Sequence, residues 1–237
     1  MLVDLHTHTN ASDGELTARE LLALQAEAGV GLVAITDHDT LDGWERAQGL
    51  PAVQAQMLRL LPGIEFSVEA GRREVHVLGL GFDPDHPVLR QAVCRQQLRR
   101  RERAERIADR LEYLGVGGAL AGAEAAAGGA GIGRPHFAHF LVASGRVRSV
   151  DEAFRRYLGR GKPAACRVEW PPLHEVLVGE DEHPSQSAHP MISAVEVPPL
   201  ATAAVADLLD EDGPALVARL AALCRTGDGI ASPVDRA

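Results

Sequence analysis

The sequence is poor in aromatic residues, in cysteine and in lysine. Aromatic side chains make up only 4% of the 237 residues, so the core is expected to consist of leucine, valine, isoleucine and alanine. Cys94, Cys166 and Cys224 are too few and too widely spaced for a disulfide framework, and we interpret them as small buried residues in a reducing compartment. No apolar run approaches the roughly 20 residues that span a bilayer, and no signal-peptide pattern follows Met1. These absences predict a cytoplasmic protein without a membrane segment.

Positive charge is also scarce. The chain has 24 Lys and Arg against 33 Asp and Glu, a formal net charge of −9. This balance disfavours binding of duplex DNA through its backbone, whereas a small phosphorylated substrate remains compatible if bound cations reverse the local sign. Eight arginines fall within residues 90–110, and we interpret them mainly as a solvated helix face with ion pairs four residues apart, with at most a minor steering role.

Strand and helix patterns alternate over the first 85 residues. Strands are predicted at 1–8, 31–36, 60–68 and 74–80, and helices at 17–28 and 43–58. Thr17 and Glu20 form a capping-box pattern, and Leu21, Leu22 and Leu24 are expected to pack. The strand–helix order implies parallel strands with helical crossovers, followed by a hairpin-like turn at 70–73.

The middle of the chain has a helical pattern. A long helix is predicted over 86–114, with Ala104, Ile107, Leu111 and Leu114 on its inner face, then a short helix near Glu124 and helices at 134–141 and 150–158. We therefore predict an α/β fold in which residues 1–85 and 164–237 form one unit and residues 86–163 form a helical insertion that contributes to the substrate site.

Histidines and carboxylates follow the predicted strands. His6 and His8 are two residues apart, so they share one face of a strand, and Asp13 comes soon after. Asp37 and His38 stand where the second strand ends, which is the edge where barrel enzymes place their active sites. Taken alone, each motif is also typical of surface histidines or a solvated turn, but two successive strand ends favour a shared site.

The next two strands add a glutamate and a histidine. Glu65 and His76 lie in apolar segments, where burial is costly unless the side chain is paired or binds a cation. Glu65 can bridge two ions because a carboxylate has two oxygens, although a salt-bridged glutamate is the alternative. The mixed histidine and carboxylate set suits Mn²⁺, Fe²⁺ or Zn²⁺ better than Ca²⁺.

This series resembles the PHP (polymerase and histidinol phosphatase) family from residue 1 to about 165. The resemblance implies a distorted TIM-like barrel of seven βα units with two or three divalent metal ions. The Ala188-His189-Pro190 segment is similar to a further family motif. The metal ligands implied are His6, His8, Asp13, His38, Glu65, His76 and His189.

Two other segments are similar to the branch of the family that dephosphorylates nucleotides or trims short oligonucleotides. They are Arg134-Pro135-His136 and the stretch from Tyr157 to Pro163. The resemblance implies that Arg134 and His136 meet the substrate phosphate, for which a guanidinium is well shaped. Asp37 either assists proton transfer as a catalytic residue or orients a ligand histidine.

The leading hypothesis is a metal-dependent phosphoesterase that hydrolyses nucleotides, such as nucleoside 3′,5′-bisphosphates, or short oligonucleotides by metal-activated water. One departure from the family leaves an alternative open: its closing Gly-Ser-Asp-x-His-like segment has no counterpart after residue 200, an atypical or truncated C-terminal end. The alternative is a metal-binding, catalytically impaired PHP remnant that serves as a scaffold or regulatory module. An amidohydrolase-type enzyme is disfavoured because Lys162, the single lysine, lies in a Gly-Arg-Gly-Lys-Pro loop instead of a strand.

Overall fold

A four-stranded sheet forms the centre of the fold. A computed structural model describes residues 2–54, 57–70 and 73–172. The strands occur in the order β1-β2-β3-β4, with β1 parallel to β2, β2 parallel to β3, and β3 antiparallel to β4. Their bounds are Leu2–Thr7, Val30–Ile35, Arg59–Ala70 and Arg73–Leu80. The predicted parallel strands and the antiparallel last pair are confirmed.

The helices between the parallel strands are α1 (Ala18–Glu27), α2 (Asp42–Gln48) and α3 (Pro51–Gln54). The capping box predicted at the start of α1 is present. The single helix predicted over 43–58 is wrong, because the chain leaves the helix at Gly49 and restarts at Pro51. Proline lacks the N–H that a continuous helix needs and disfavours helical geometry in the residue before it, so it begins a new helix.

The helical part of the chain contains α4 (Pro87–Tyr113), α5 (Ala119–Ala127), α6 (Arg134–Ala143) and α7 (Val150–Ala153), and a π-helical turn at Phe154–Leu158 follows α7 directly. From Ala104 to Ala164, its buried apolar side chains form one cluster that contains no residue of the sheet. The first turn of α4 instead packs on the sheet through Leu89. A separate core is expected of an insertion, but the boundaries at residues 86 and 163 stay a prediction, since residues 173–237 lie outside the described part of the chain.

Three apolar side chains predicted to be buried are exposed. Leu24 is 53% exposed because it lies on the side of α1 away from the stripe of Leu21 and Leu22. Leu114 caps the end of α4 at 39% exposure, and Cys94 lies on the solvent face of the same helix. Among the described residues, no helix has both the length and the apolarity that crossing a bilayer requires.

Candidate active site

Six of the seven predicted metal ligands come together at one edge of the sheet. The parallel strands β1, β2 and β3 end there, so residues that follow them meet, as at the carboxyl edge of a barrel. A bridge joins His38 to Glu65, and in the antiparallel pair His76 lies opposite Ser67, two residues from Glu65. The six are His6, His8, Asp13, His38, Glu65 and His76. The seventh, His189, lies outside the described residues.

Glu65 is the centre of this group. Its Oε2 lies 3.1 Å from His6 Nε2 and 3.0 Å from His8 Nε2. Its Oε1 lies 2.8 Å from His76 Nδ1, and His38 Nδ1 is 3.6 Å from Oε2. Glu65 itself is only 5% exposed. One buried carboxylate therefore contacts four imidazoles. Hydrogen bonds alone cannot pair all of these groups well, because several ring nitrogens compete for two carboxylate oxygens.

Asp13 provides a second carboxylate on the other side of two of these histidines. Its oxygens lie 3.5 Å from His8 Nδ1 and 3.6 Å from His38 Nε2. Within the described structure, the buried Nδ1 atoms of His8 and His38 have no hydrogen-bond partner. A buried ring nitrogen without a partner is costly, and a cation shared with a neighbouring carboxylate would satisfy it.

The donors fall into three groups in which all ligand atoms lie within 4.8 Å of one another. The groups are His6, His8 and Glu65; His8, Asp13 and His38; and His38, Glu65 and His76. Imidazole nitrogen with carboxylate oxygen is the donor set of Zn²⁺, Fe²⁺ and Mn²⁺ sites. The residues therefore fit divalent metal ions, and we call these six residues the metal centre.

The histidines of the metal centre have strongly divergent pKa values. Burial would raise the pKa of Glu65, but hydrogen bonds from His6, His76 and His8 hold it well below its usual range. Its hydrogen bond with Glu65 raises the pKa of His76 to about 9, whereas burial lowers the pKa of His38 to about 4. Burial at His38 thus favours the neutral ring that a metal ion requires, while a metal ion at His76 would replace a firmly held proton.

Asp37 is buried beneath the metal centre. It accepts hydrogen bonds from the Thr9 backbone N–H at 2.7 Å, the Thr9 hydroxyl at 2.7 Å and the Ser12 hydroxyl at 2.6 Å. Burial raises its pKa despite these bonds. The carboxylate thereby ties the loop that carries Asp13 to the end of β2. A catalytic role for Asp37 stays a prediction, and its contacts favour positioning of that loop.

Helix α2 approaches Asp37 so closely that only glycine fits at position 43. A Cβ on Gly43 would overlap Asp37 Oδ2 and lie 2.5 Å from Thr9 Oγ1. We expect Gly43→Ala to lower the free energy of unfolding by about 2–3 kcal/mol, the cost of overpacking a rigid site, measured by urea denaturation. Gly49→Ala is the matched control, because a Cβ at the end of the same helix meets nothing within 4 Å. Equal stability of the two variants would contradict this interpretation.

A buried polar network next to the metal centre was not anticipated from the sequence. Asp39, at φ 54°, accepts hydrogen bonds from the Ser67 backbone N–H at 2.7 Å and from Gln96 Nε2 at 3.0 Å. Arg100 contacts its other oxygen at 2.6 and 2.7 Å and also reaches the Ser67 hydroxyl. The network attaches α4 to β3 and to the residue that follows His38.

The solvated arginine face predicted for residues 90–110 is wrong at two positions. Arg100 is 7% exposed and Arg103 6% exposed, whereas Arg101 and Arg106 are exposed and form ion pairs along or near α4. The reason is that the middle of α4 crosses the edge of the sheet beside Asp39, and helical spacing turns Arg100 and Arg103 to the same side.

A cavity of about 230 Å³ opens beside the metal centre. Its wall includes Asp13, His38 and His76 of the metal centre, together with Arg103 and Arg134. A larger groove of about 640 Å³ continues from it, since it shares Glu74, His76 and Arg134 and extends to Arg160, Arg167 and Trp170.

The predicted phosphate-contacting pair lies at the start of α6. Arg134 lines both cavities, and within the described residues it forms no hydrogen bond or salt bridge. His136 is buried, and its Nδ1 accepts a hydrogen bond from the Gly133 backbone N–H at 2.8 Å. Burial lowers the pKa of His136, so the ring is neutral with its proton on Nε2, as a hydrogen-bond donor. His139, one turn on, is exposed.

Lys162 lies in an exposed turn after the π-helical turn and not on a strand. An amidohydrolase-type site with a metal-bridging lysine on a strand therefore has no support from this residue.

Curated relatives and a solved structure are similar to this chain over about three quarters of its length. The 5′-3′ exoribonuclease Rnm of Escherichia coli (strain K12) is 39% identical over 177 residues, covering 75% of this chain and 60% of the relative. The 3′,5′-nucleoside bisphosphate phosphatase of Chromobacterium violaceum is 37% identical over 176 residues, covering 74% of this chain and 61% of the relative. A solved structure of an amidohydrolase from Chromobacterium violaceum, with bound sulfate and no metal, has a TM-score of 0.67 at 36% identity, covering 74% of this chain and 61% of that chain.

The chain spans about 60% of the length of these curated relatives. A family model described as the PHP domain matches residues 4–187, which include all six residues of the metal centre. The family match and the similarity to these relatives agree with the order of histidines and carboxylates along the sheet edge. The chain belongs to the PHP domain family.

Proposed function

We propose that this protein is a metal-dependent phosphoesterase that acts on nucleotides or short oligonucleotides. The observation that carries the proposal is that Asp13, His38 and His76 of the metal centre line the same cavity as Arg103 and Arg134. Divalent ions at the metal centre and the two guanidinium groups would together surround the space with positive charge, which suits a phosphate ester and not a neutral substrate.

The names of the relatives support a nucleotide substrate. One is an exoribonuclease and another a phosphatase of nucleoside bisphosphates, so both act on phosphate esters of nucleotides. The Chromobacterium violaceum structure contains sulfate, which has the shape and charge of a phosphate group. For this chain we propose the same class of substrate, bound without a duplex.

Two or three divalent ions, Mn²⁺, Fe²⁺ or Zn²⁺, are proposed for the metal centre. Three overlapping donor groups support this number, and His8, His38 and Glu65 each belong to two of them. We propose His189 as a further ligand, and a distorted barrel of seven βα units that residues 164–237 help to complete around the helical insertion. When bound, such ions would neutralise phosphate oxygens and activate the attacking water.

The protein side chains have separate tasks in this proposal. Glu65 and the histidines hold the ions, and Asp37 keeps the loop of Asp13 in place through Thr9 and Ser12. Arg134 binds oxygens of the substrate phosphate, since its fork of N–H groups is not engaged by another described residue. Neutral His136 donates its Nε2–H to the same phosphate or to the oxygen that leaves.

The test is phosphate release from nucleoside 3′,5′-bisphosphates and short oligonucleotides by metal-stripped protein after Mn²⁺ is added back. We expect turnover that depends on Mn²⁺ and falls at least about 100-fold in His8→Ala, which removes a donor from two of the three groups. His139→Ala is the control, because His139 is exposed and outside the metal centre. Metal bound in proportion to protein without any turnover would instead favour a scaffold or regulatory module.

A further inference from the structure

Arg103 is a buried cation whose charge is poorly matched. Its side chain is 6% exposed, and it makes no hydrogen bond within the described residues. The carboxylate oxygen in contact, Glu74 Oε1, is 3.6 Å from Arg103 Nη1, and the same oxygen lies 4.0 Å from His76 Nε2. A buried guanidinium normally donates several charge-assisted hydrogen bonds, so Arg103 retains donors for a further anion.

Arg100 shows what a matched buried arginine looks like on the same helix. It lies three residues before Arg103 and contacts Asp39 at 2.6 Å. The ring of Trp170 lies against both guanidinium groups, and its centroid is 5.7 Å from Arg100 Cζ and 5.2 Å from Arg103 Cζ. This stacking fixes the orientation of Arg103 without neutralising it. Burial, and then the neighbouring charges of Arg100 and Arg134, lower the pKa of Arg103 to about 10, as expected for a cation without sufficient counter-charge.

Arg103 and Arg134 reach the same cavity from different helices. Arg103 belongs to α4 and Arg134 to α6, and both line the 230 Å³ cavity whose wall includes part of the metal centre. Glu74 is the single carboxylate in that wall outside the metal centre, among the described residues. Two buried or half-buried cations, of which only Arg103 contacts Glu74 within the described residues, leave an excess of positive charge beyond that of any bound ions.

We propose that Arg103 binds a second, non-hydrolysed phosphate of the substrate, while Arg134 binds the phosphate at the metal centre. This inference rests on the proposed function and makes it more specific. The site then prefers nucleotides that carry two phosphates on one ribose, or an oligonucleotide whose neighbouring phosphate occupies the same position. A nucleoside monophosphate leaves the Arg103 guanidinium buried without an anion, and such an unpaired group lowers affinity.

The experiment compares two substrates with Mn²⁺-loaded protein: adenosine 3′,5′-bisphosphate and adenosine 3′-monophosphate. We expect Arg103→Met to lower kcat/KM for the bisphosphate by about 10- to 100-fold, mainly through KM, and for the monophosphate by less than about threefold. Arg103→Lys keeps the charge without the fork and is expected to lie between the wild type and Arg103→Met. Arg106→Met, on the exposed face of α4, is the control, and thermal unfolding shows whether each variant is folded.

Equal loss on both substrates, or no loss, would overturn the inference, because a merely structural Arg103 acts on both alike through Glu74 and His76. Calorimetric binding of adenosine 3′,5′-bisphosphate tests Arg103 independently of turnover. If the wild-type protein hydrolyses neither substrate yet binds the bisphosphate more tightly than Arg103→Met does, the proposed function fails and the Arg103 assignment stands. Equal binding by the two proteins, or no binding by the wild type, overturns the assignment.

Discussion

Glu65→Gln should reduce Mn²⁺-dependent phosphate release by at least about 1,000-fold and release metal from the protein, because one carboxylate serves four histidines of the metal centre. Glutamine has nearly the same shape, so the buried position between β2 and β4 remains filled. It lacks the negative charge, however, and offers one oxygen where the glutamate presents Oε2 to His6 and His8 and Oε1 to His76. Activity and metal content, measured by elemental analysis after gel filtration, should fall together.

Glu69→Gln is the matched control for this loss. Glu69 lies on the same strand and the same side as Glu65, but it pairs with the exposed Arg167 instead of the histidines. We expect it to retain metal and most of its turnover. If Glu65→Gln kept full metal content and lost only turnover, Glu65 would act on the substrate and not as a bridging ligand.

The sequence predicts the local structure of the sheet edge well. Buried strands near 1–8 and 31–36 could be recognised because short apolar runs end in polar residues, and the capping box at Thr17 and Glu20 marks the start of α1. The spacing of His6 and His8 also places both on one side of a strand. The sequence predicts the hairpin of β3 and β4 but not its register, which sets His76 opposite Ser67 and beside Glu65 and makes that carboxylate the shared contact.

The arginines of α4 show why the buried polar network beside the metal centre could not be predicted from the sequence. Arg99, Arg100 and Arg101 are consecutive, and helical periodicity alone cannot tell which of them is buried when several faces of the helix are charged. The answer depends on where α4 crosses β3, a contact across dozens of residues. Arg100 is buried because it pairs with the buried carboxylate of Asp39. Asp39 follows His38 but has a left-handed backbone conformation, and its carboxylate belongs to none of the three donor groups of the metal centre.

Arg100→Met should destabilise the metal-free protein by about 3–5 kcal/mol, the cost of leaving a buried charge without its partner. Asp39 is fully buried, and after the substitution the donors left to its carboxylate among the described residues are the Ser67 N–H and Gln96. In urea denaturation at neutral pH, the midpoint should fall while the slope stays unchanged. Arg101→Met is the control, since this exposed neighbour pairs with Glu105 and Glu124 at the surface and should change stability little.

The double variant Arg100→Met/Asp39→Asn separates a lost ion pair from a lost helix contact. Asparagine is chosen because it tolerates the φ of 54° at this position and can still accept the Ser67 N–H, whereas alanine would add backbone strain. If the cost of Arg100→Met is the uncompensated charge of Asp39, removing that charge should restore about 1–3 kcal/mol relative to the sum of the single variants. Strict additivity would mean that Arg100 stabilises α4 by packing against Trp170 and not through Asp39. Because His38 precedes Asp39, the single variant should also weaken metal binding, and the double variant should recover part of that loss.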